Sequence, residues 1–401
     1  MKKCRFCQGT EFHSVLNMGN NALVNSLILK EDLDKKDETH PLEVVRCEKC
    51  SLVQLKKPID SNKIYKDVDY LYFSGDMPGL SDYFKEYANE LKERFLSTGD
   101  FVVEIGSNDG IMLEHFVDKC LILGVDPATN VVLRALRRGI ATVPLFFNER
   151  LGKQIAVEWG KAKVMYGNNC IAHIDNLDSV MRGVQELLTD DGVFVVECNY
   201  WGGMVKNKNY ALVYHDHFSY FSLKNWADIA NRHGMQVFDA IVTPAQGGSL
   251  RVFMGKGAVT MTKRCLDLIK EEVTSKLNTR DVAVQYGKDC VAEAAKLFET
   301  VSNIKAEGKT IAGYGAAAKG FSVLKLAGID ERHIDYFVDD SPAKQGKYTP
   351  VTHIPVVARN ERPDPDYFFI TAPNYESGIV AKEKAFHDKG GKFVTCDGRV
   401  Y

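Results

Sequence analysis

No stretch of this sequence approaches the ~18 consecutive apolar residues that a membrane-spanning helix requires, so no spanning segment is expected. An excess of charge of either sign is missing too. The 51 Lys+Arg against 53 Asp+Glu leave a formal net charge of −2, and without a global positive field a nucleic-acid partner is not expected. The opening residues, Met1-Lys-Lys-Cys-Arg-Phe-Cys7, lack the apolar core of a secretion signal, which points to a cytoplasmic protein. What is present is length and apolar content. With 401 residues, 45% hydrophobic and 26% charged, the chain can build two or three domains with real cores. These values favour a soluble, multidomain enzyme.

Ten cysteines are unevenly placed. Four form two Cys-x-x-Cys pairs, Cys4/Cys7 and Cys47/Cys50, each in a short polar context. Two residues between thiols let one tight turn aim both sulfurs at one metal, and two such turns complete a tetrahedral zinc shell. Disulfides suit a reducing compartment poorly, and a redox pair needs no second copy. The expected zinc is structural, because four protein thiols leave no open position for catalysis. The remaining cysteines (120, 170, 198, 265, 290 and 396) show no ligand spacing and read as small buried hydrophobes.

Beyond the cysteine module the pattern alternates between strands and helices. Helical apolar spacing runs from Tyr83 to Phe95. Phe101-Val-Val-Glu-Ile-Gly106 follows as a short, β-rich, almost continuously apolar run, the signature of a buried parallel strand. It turns through Ser107-Asn-Asp-Gly110 into a helix predicted over Ile111 to Val117. A strand at Leu121–Val125 ending in Asp126-Pro127, a βα unit over Val131 to Phe147, a strand at Val164–Tyr166, a helix over Ser179 to Leu188 and a strand at Val193–Val196 complete the succession. This order predicts an α/β fold with a doubly wound parallel sheet.

Glu104-x-Gly106-x-x-x-Gly110 is the first motif with chemistry. A strand must turn sharply into a helix while its backbone closes on a ligand, and the glycines permit that approach. Asp126, at the end of the next strand, is placed to accept the ribose hydroxyls of a nucleoside. The spacing differs from the Gly-x-Gly-x-x-Gly of dinucleotide sites. With an acidic residue inside the strand it suits S-adenosylmethionine, whose sulfonium is positive and which carries no pyrophosphate; a purely structural βα turn is the alternative. Phe146 and Phe147 could wall an adenine or simply fill the core. Asn168, Asn169 and His173, in Tyr166-Gly-Asn-Asn-Cys-Ile-Ala-His173, follow a strand at the carboxyl edge where ligands gather.

Tyr214, His215, Asp216 and His217 put two imidazoles, a phenol and a carboxylate within four residues. A carboxylate beside a histidine can fix its tautomer and make a general base. Metal ligation fits less well, because in a strand His215 and His217 would share a face and Asp216 would oppose them. A satisfied surface patch remains open. Near Gly247-Gly-Ser-Leu-Arg251, Arg251 could clamp phosphate or make a surface ion pair. Long helical stretches across Lys270 to Glu307 lead into Thr310-Ile-Ala-Gly-Tyr-Gly-Ala-Ala-Ala-Lys-Gly320, again strand, glycine turn and helix. Its helix N-terminus and Lys319 could meet a pyrophosphate, or the turn could be structural. Ile334–Val338 then leads into Asp339.

Taken in order, the Cys-x-x-Cys pairs, Glu104-Ile-Gly-Ser-Asn-Asp-Gly110, His173, Tyr214-His-Asp-His-Phe-Ser-Tyr-Phe-Ser222, Gly247-Gly-Ser-Leu-Arg251 and Gly313-Tyr-Gly-Ala-Ala-Ala-Lys-Gly320 resemble the three-domain sugar C-methyltransferases over nearly the whole chain. The resemblance implies a zinc-binding module (1–68), a central class I methyltransferase domain binding S-adenosylmethionine (69–255), and a C-terminal Rossmann-like domain that helps bind the sugar nucleotide (256–401). It implies methylation at C3 of a nucleotide-linked 4-keto deoxysugar, thymidine diphosphate being the expected carrier. By match to the family's motif, His217 is the base, supported by Tyr214 and Asp216, with His173 and Tyr72 also in the active site. Glu104, Gly106, Asn108, Gly110, Asp126, Pro127, Phe147, Asn168 and Asn169 are expected at the cofactor, and Gly248, Ser249, Arg251, Tyr314, Lys319 and Asp339 at the substrate. Asp216 departs from the family's glutamate and is one methylene shorter. An O- or N-methyltransferase and a non-catalytic nucleotide-binding zinc protein remain the alternatives, with a dehydrogenase using the C-terminal turn a poorer third. The oligomeric state is open.

Overall fold

The computed structural model describes residues 3–24, 26–67, 70–257 and 259–401, so the expected boundary at 68/69 lies outside the described residues. The chain begins with three antiparallel strands, β1 (Phe12–Asn21), β2 (His40–Cys47) and β3 (Val53–Leu55), followed by a short helix α1 (Ser61–Tyr65) capped by the Asp60 side chain. Helix α2 (Leu80–Phe95) then leads into β4 (Phe101–Ile105), β5 (Leu121–Val125), α3 (Thr129–Arg137), β6 (Thr142–Val143), α4 (Glu149–Glu158), β7 (Ala162–Asn168), α5 (Leu177–Leu187) and β8 (Leu188–Asn199). After α6 (Trp201–Asn207) come a two-residue strand β9 (Ser219–Tyr220), α7 (Leu223–Arg232), β10 (Met235–Thr243) and β11 (Ser249–Lys256).

Seven strands form the central sheet in the order β10-β11-β8-β7-β4-β5-β6. It is not wholly parallel as expected, because β11 runs antiparallel between β8 and β10. All five residues of β4 are buried, as a strand covered on both faces requires. Its Val102 packs with Tyr87, Leu91 and Tyr166 on one face, and Val103 and Ile105 join the larger core on the other. The helix expected over 111–117 reduces to one 3-10 turn, Leu113–Phe116. Asn108 and Gly110 at positive φ coil the chain tightly before it, leaving few residues before β5.

Strand β9 does not join the central sheet. It pairs antiparallel with β3, Val53 opposite Tyr220 and Gln54 opposite Ser219, and so completes the N-terminal four-stranded sheet.

Helices α8 (Lys263–Thr274) and α9 (Arg280–Ala306) follow, α8 on β10 and α9 across β1. At Gly287 of α9 a Cβ would fall 1.8 Å from the carbonyl oxygen of Val15, so only glycine lets the helix lie directly on the strand. The last sheet holds β12 (Ile311–Tyr314), β13 (Phe337–Val338), β14 (Val356–Val357), β15 (Tyr367–Ile370) and β16 (Lys392–Thr395), with α10 (Ala318–Ala327) after β12 and α11 (Glu376–Lys382) and α12 (Lys384–Asp388) before β16. Its order, β14-β13-β12-β15-β16, is parallel throughout, as a Rossmann-like domain requires. Among the described residues no helix is long and apolar enough to cross a membrane.

Candidate active site

Four sulfurs meet in the N-terminal module. Cys4, Cys7, Cys47 and Cys50 place their Sγ atoms within 4.8 Å of one another, with Cys4–Cys50 at 3.6 Å and Cys7–Cys47 at 3.5 Å. A tetrahedron of zinc–sulfur bonds near 2.3 Å has edges of roughly 3.8 Å, so the donor set fits zinc in both chemistry and size. Each Cys-x-x-Cys turn closes through a backbone bond, Gln8 N to the Cys4 carbonyl and Ser51 N to the Cys47 carbonyl, with Gln8 and Ser51 at positive φ. Gln54 Nε2 donates to Cys4 Sγ at 3.1 Å and supports a thiolate there. With all four positions filled by protein, the zinc is structural.

Arg5, inside the first turn, connects this module to the rest of the site. It is 5% exposed, and its guanidinium donates to the carbonyls of Leu55 (2.8 Å) and Phe218 (3.1 Å) and pairs with Asp175 (2.8 Å).

A cavity of about 1710 Å³ opens at the carboxyl ends of β4, β5, β7 and β8, where ligands of open α/β sheets gather. Gly106, Asn108, Asp126, Pro127, Phe146, Phe147, Asn168 and Asn169 line one end of it. Gly106 has φ +67 and a Cβ there would lie 2.4 Å from that of Cys170, so the turn demands glycine. Asp126 accepts the backbone N–H of Asn108 and of Ala128, both at 2.9 Å, and each oxygen keeps a lone pair for a ribose hydroxyl. Burial pushes its carboxyl up to about 6, which leaves it ionised at neutral pH. The amide oxygens of Asn168 and Asn169 are buried and have no hydrogen-bond partner among the described residues. Both residues line the cavity, and these orphaned acceptors fit a ligand that donates hydrogen bonds.

Two expected cofactor residues do not reach this cavity. Glu104 points to the opposite face of β4, where Tyr166 donates to it at 3.3 Å and burial holds its carboxyl well above the usual range. Period-two alternation along the strand sends it there. Gly110 shapes the turn from below, against Ile140.

The segment from Tyr70 to Asp76 covers the glycine turn. Ser74 N donates to Asn108 Oδ1 (2.8 Å), Asn108 Nδ2 to the Tyr72 carbonyl (3.1 Å), Gly75 N to Asp109, and Asn130 Nδ2 to the Tyr70 carbonyl (2.9 Å). An ion pair from Arg134 to Asp76 secures its end. Tyr70, Tyr72 and Phe73 thereby line the cavity. Tyr72 was expected there; the strap as a whole was not.

The histidine-rich segment is a turn, not a strand. His217 N donates to the Tyr214 carbonyl at 3.1 Å, and the turn sends Tyr214, Asp216 and His217 into the cavity and His215 out of it. His215 instead abuts His40, ring centroids 5.9 Å apart. His217 Nδ1 lies 2.6 Å from the Leu212 carbonyl, so that carbonyl, not Asp216, orients the ring. Asn199 Nδ2 is 3.3 Å from both ring nitrogens. His173, in a 3-10 turn after β7, faces it with ring centroids 5.0 Å apart, and Tyr214 packs at 4.1 Å from His217. Phe218 N donates to the Ala172 carbonyl at 2.8 Å and ties the two loops together. Burial pulls His217 well below the usual imidazole range and His173 to about 4, so both are neutral. Burial also pushes Asp216 up to about 7.

Tyr314, Lys319 and Asp339 line the far end of the cavity with Lys344, Asn374, Tyr375 and Lys382. Desolvation lowers Lys319 to about 8. Asp339 accepts from Ala316 N at 2.7 Å and from Lys344 Nζ at 3.1 Å. Lys344 and Lys382 escaped the sequence reading because neither sits in a glycine-turn motif.

Gly248, Ser249 and Arg251 are absent from the cavity wall. Ser249 and Arg251 belong to β11 rather than to a loop, and Ser249 Oγ donates back to the Ala245 carbonyl. Register with β8 sets Arg251 opposite Glu197. Its guanidinium bonds Glu197 (2.9 Å), Glu90 (2.8 Å) and the Tyr83 hydroxyl (2.9 Å) over the Tyr87 ring. It is a buried structural cation, not a phosphate clamp.

A seven-stranded sheet with one antiparallel strand, a glycine turn after β4 and an acidic residue ending β5 define a class I S-adenosylmethionine-dependent methyltransferase. Three family models match along the chain: a zinc binding domain over residues 4–65, a methyltransferase domain over 80–240 and a C-methyltransferase C-terminal domain over 244–396. The chain is 33% identical over 398 residues to the C-methyltransferase NovU of Streptomyces niveus, covering 98% of this chain and 94% of that protein. It therefore belongs to the C-methyltransferase family. Among the solved structures that resemble part of it are two methyltransferases. One is an S-adenosylmethionine-dependent methyltransferase of Clostridium acetobutylicum (TM-score 0.37, 10% identity, 46% of this chain and 94% of that one). The other is the magnesium protoporphyrin IX methyltransferase of Synechocystis (TM-score 0.35, 12% identity, 49% and 89%).

Proposed function

We propose that this enzyme methylates C3 of a nucleotide-linked 4-keto deoxysugar through an enolate, with the methyl group supplied by the sulfonium of S-adenosylmethionine. The observation that carries the reading is the pairing of His217 Nδ1 with the Leu212 carbonyl. A carbonyl only accepts, so the proton sits on Nδ1 and Nε2 keeps its lone pair in the cavity. A ketone at C4 acidifies the C3 hydrogen, and His217 Nε2 takes that proton. His173 or Tyr214 hydrogen-bonds the developing oxyanion, and C3 then attacks the methyl carbon in line. Positioning and electrostatics do most of the rest, because the sulfonium is already activated.

The ends of the cavity support two ligands. Asp126, Asn168 and Asn169 suit the cofactor, whereas Lys319, Tyr314 and Asp339, with Lys344 and Lys382 beside them, suit a nucleotide diphosphate. We take 1–68 as the zinc module, 69–255 as the cofactor domain and 256–401 as the unit that helps hold the sugar nucleotide, with thymidine as the base.

Product NMR with methyl-labelled S-adenosylmethionine and a TDP-4-keto-deoxysugar tests this. A labelled methyl on a ring carbon, with the C3 hydrogen lost, is the expected result. A methyl on oxygen would discard the enolate.

A further inference from the structure

Tyr65, the last residue of α1, lines the cavity at the edge of the N-terminal module. Its hydroxyl lies 2.7 Å from His173 Nδ1, the two rings are within 14° of parallel, and the Tyr70 ring packs against it with centroids 5.1 Å apart. Burial, with Tyr70 and Asp216 nearby, holds the phenol well above its usual range, so it keeps its proton. His173 Nδ1, at 2.7 Å, is the acceptor the geometry offers that proton. The O–H donates to Nδ1, and a neutral imidazole that accepts at Nδ1 must carry its own proton on Nε2. His173 Nε2 is buried and has no partner among the described residues.

The facing ring is in the opposite state. His217 gives its Nδ1 proton to the Leu212 carbonyl, which leaves Nε2 as an acceptor, 3.3 Å from Asn199 Nδ2. Two neutral histidines 5.0 Å apart are thus set as complementary tautomers by two different neighbours. A pair of identical tautomers would give two bases or two donors, and an enolate needs one of each.

We propose that Tyr65 is a positioning residue that holds His173 as the Nε2–H tautomer, so that His173 donates to the substrate oxygen while His217 removes the proton from carbon. The proposal rests on the enolate reading for its kinetic part, but its structural part does not. The test therefore begins without substrate. Long-range ¹⁵N–¹H NMR of the full-length, zinc-loaded protein, with His173→Gln used to assign the resonance, should show pyridine-like Nδ1 and pyrrole-like Nε2 for His173, and the reverse for His217. In Tyr65→Phe the His173 pattern should move toward a mixture of tautomers while the His217 pattern stays. Turnover of Tyr65→Phe should fall roughly tenfold to a hundredfold, the range for losing a group that orients a functional imidazole, with the KM for both substrates within about twofold of wild type. A pyrrole-like Nδ1 on His173 in the wild type, or an unchanged His173 pattern and full kcat in Tyr65→Phe, would overturn it. Should Tyr65→Phe not fold, the wild-type spectrum alone decides. If the tautomers are as stated but the product carries no C-methyl group, the enolate reading fails and the Tyr65 assignment stands.

Discussion

Leu212 and His217 are five residues apart, and the carbonyl of the first sits 2.6 Å from Nδ1 of the second. A local turn therefore does what an adjacent carboxylate usually does for a catalytic histidine: it fixes the ring and its tautomer without adding charge. Because that restraint comes from backbone, substitutions around the ring leave it in place.

Replacing His217 by alanine should lower methyl transfer by roughly 10²–10⁴-fold, the usual worth of a positioned general base. Cofactor binding, measured by calorimetry, should be unchanged. Hydrogen–deuterium exchange at the substrate's C3 without cofactor should disappear in the same variant; full retained exchange would remove His217 as the base.

Asp126 offers a pH test. Its carboxyl is raised to about 6 in the folded protein. A raised carboxyl is protonated more readily folded than unfolded, so its ionisation opposes folding, and its contribution to stability falls as pH rises from the usual carboxylate range through about 6. Cofactor affinity should run the other way. Kd should rise as pH drops below about 6, and Asp126→Asn should weaken binding roughly tenfold to a hundredfold at neutral pH and flatten that profile. A wild-type profile flat from pH 5 to 8 would count against the carboxylate as a ribose acceptor.

Arg251 separates structure from substrate. Removing one partner of a buried ion pair leaves the other charge uncompensated, at about 3–5 kcal/mol, and Glu197 is fully buried. Arg251→Ala should show that loss in urea unfolding, with the sugar-nucleotide KM of the folded fraction unchanged.

For Lys319→Met the signs are opposite: stability near wild type, a KM for the sugar nucleotide raised roughly tenfold, and an unchanged Kd for S-adenosylmethionine. An unaltered KM would move the diphosphate toward Lys344 and Lys382.

Much of this was legible beforehand where the signal is local. The two Cys-x-x-Cys turns, the β4 and β5 strands, the glycine turn and Asp126 each depend on a few neighbouring residues, and each stands where the sequence predicts. Failures came where a distant partner decides. Arg251 reads as a loop cation until β11 sets it against Glu197, 54 residues away. Glu104 reads as a ligand contact until Tyr166 takes it on the far face of the sheet. Tyr65 carries no motif at all; its meaning comes from His173, 108 residues on. The face that His215 and His217 would share in a strand does not arise, because the segment is a turn bonded within itself.

The pairing of β3 with β9 has a consequence for how this enzyme can be cut or rebuilt. Strand β9 begins two residues after His217, and Arg5, between two zinc ligands, holds the Phe218 carbonyl. The turn that carries the proposed base is thus stitched to the first sixty residues as well as to the ends of β7 and β8. A truncation that begins at the central sheet would lose this support of the proposed base together with the strap over the glycine turn. Zinc starvation would act likewise: it would slow turnover by letting geometry drift, although the ion is structural.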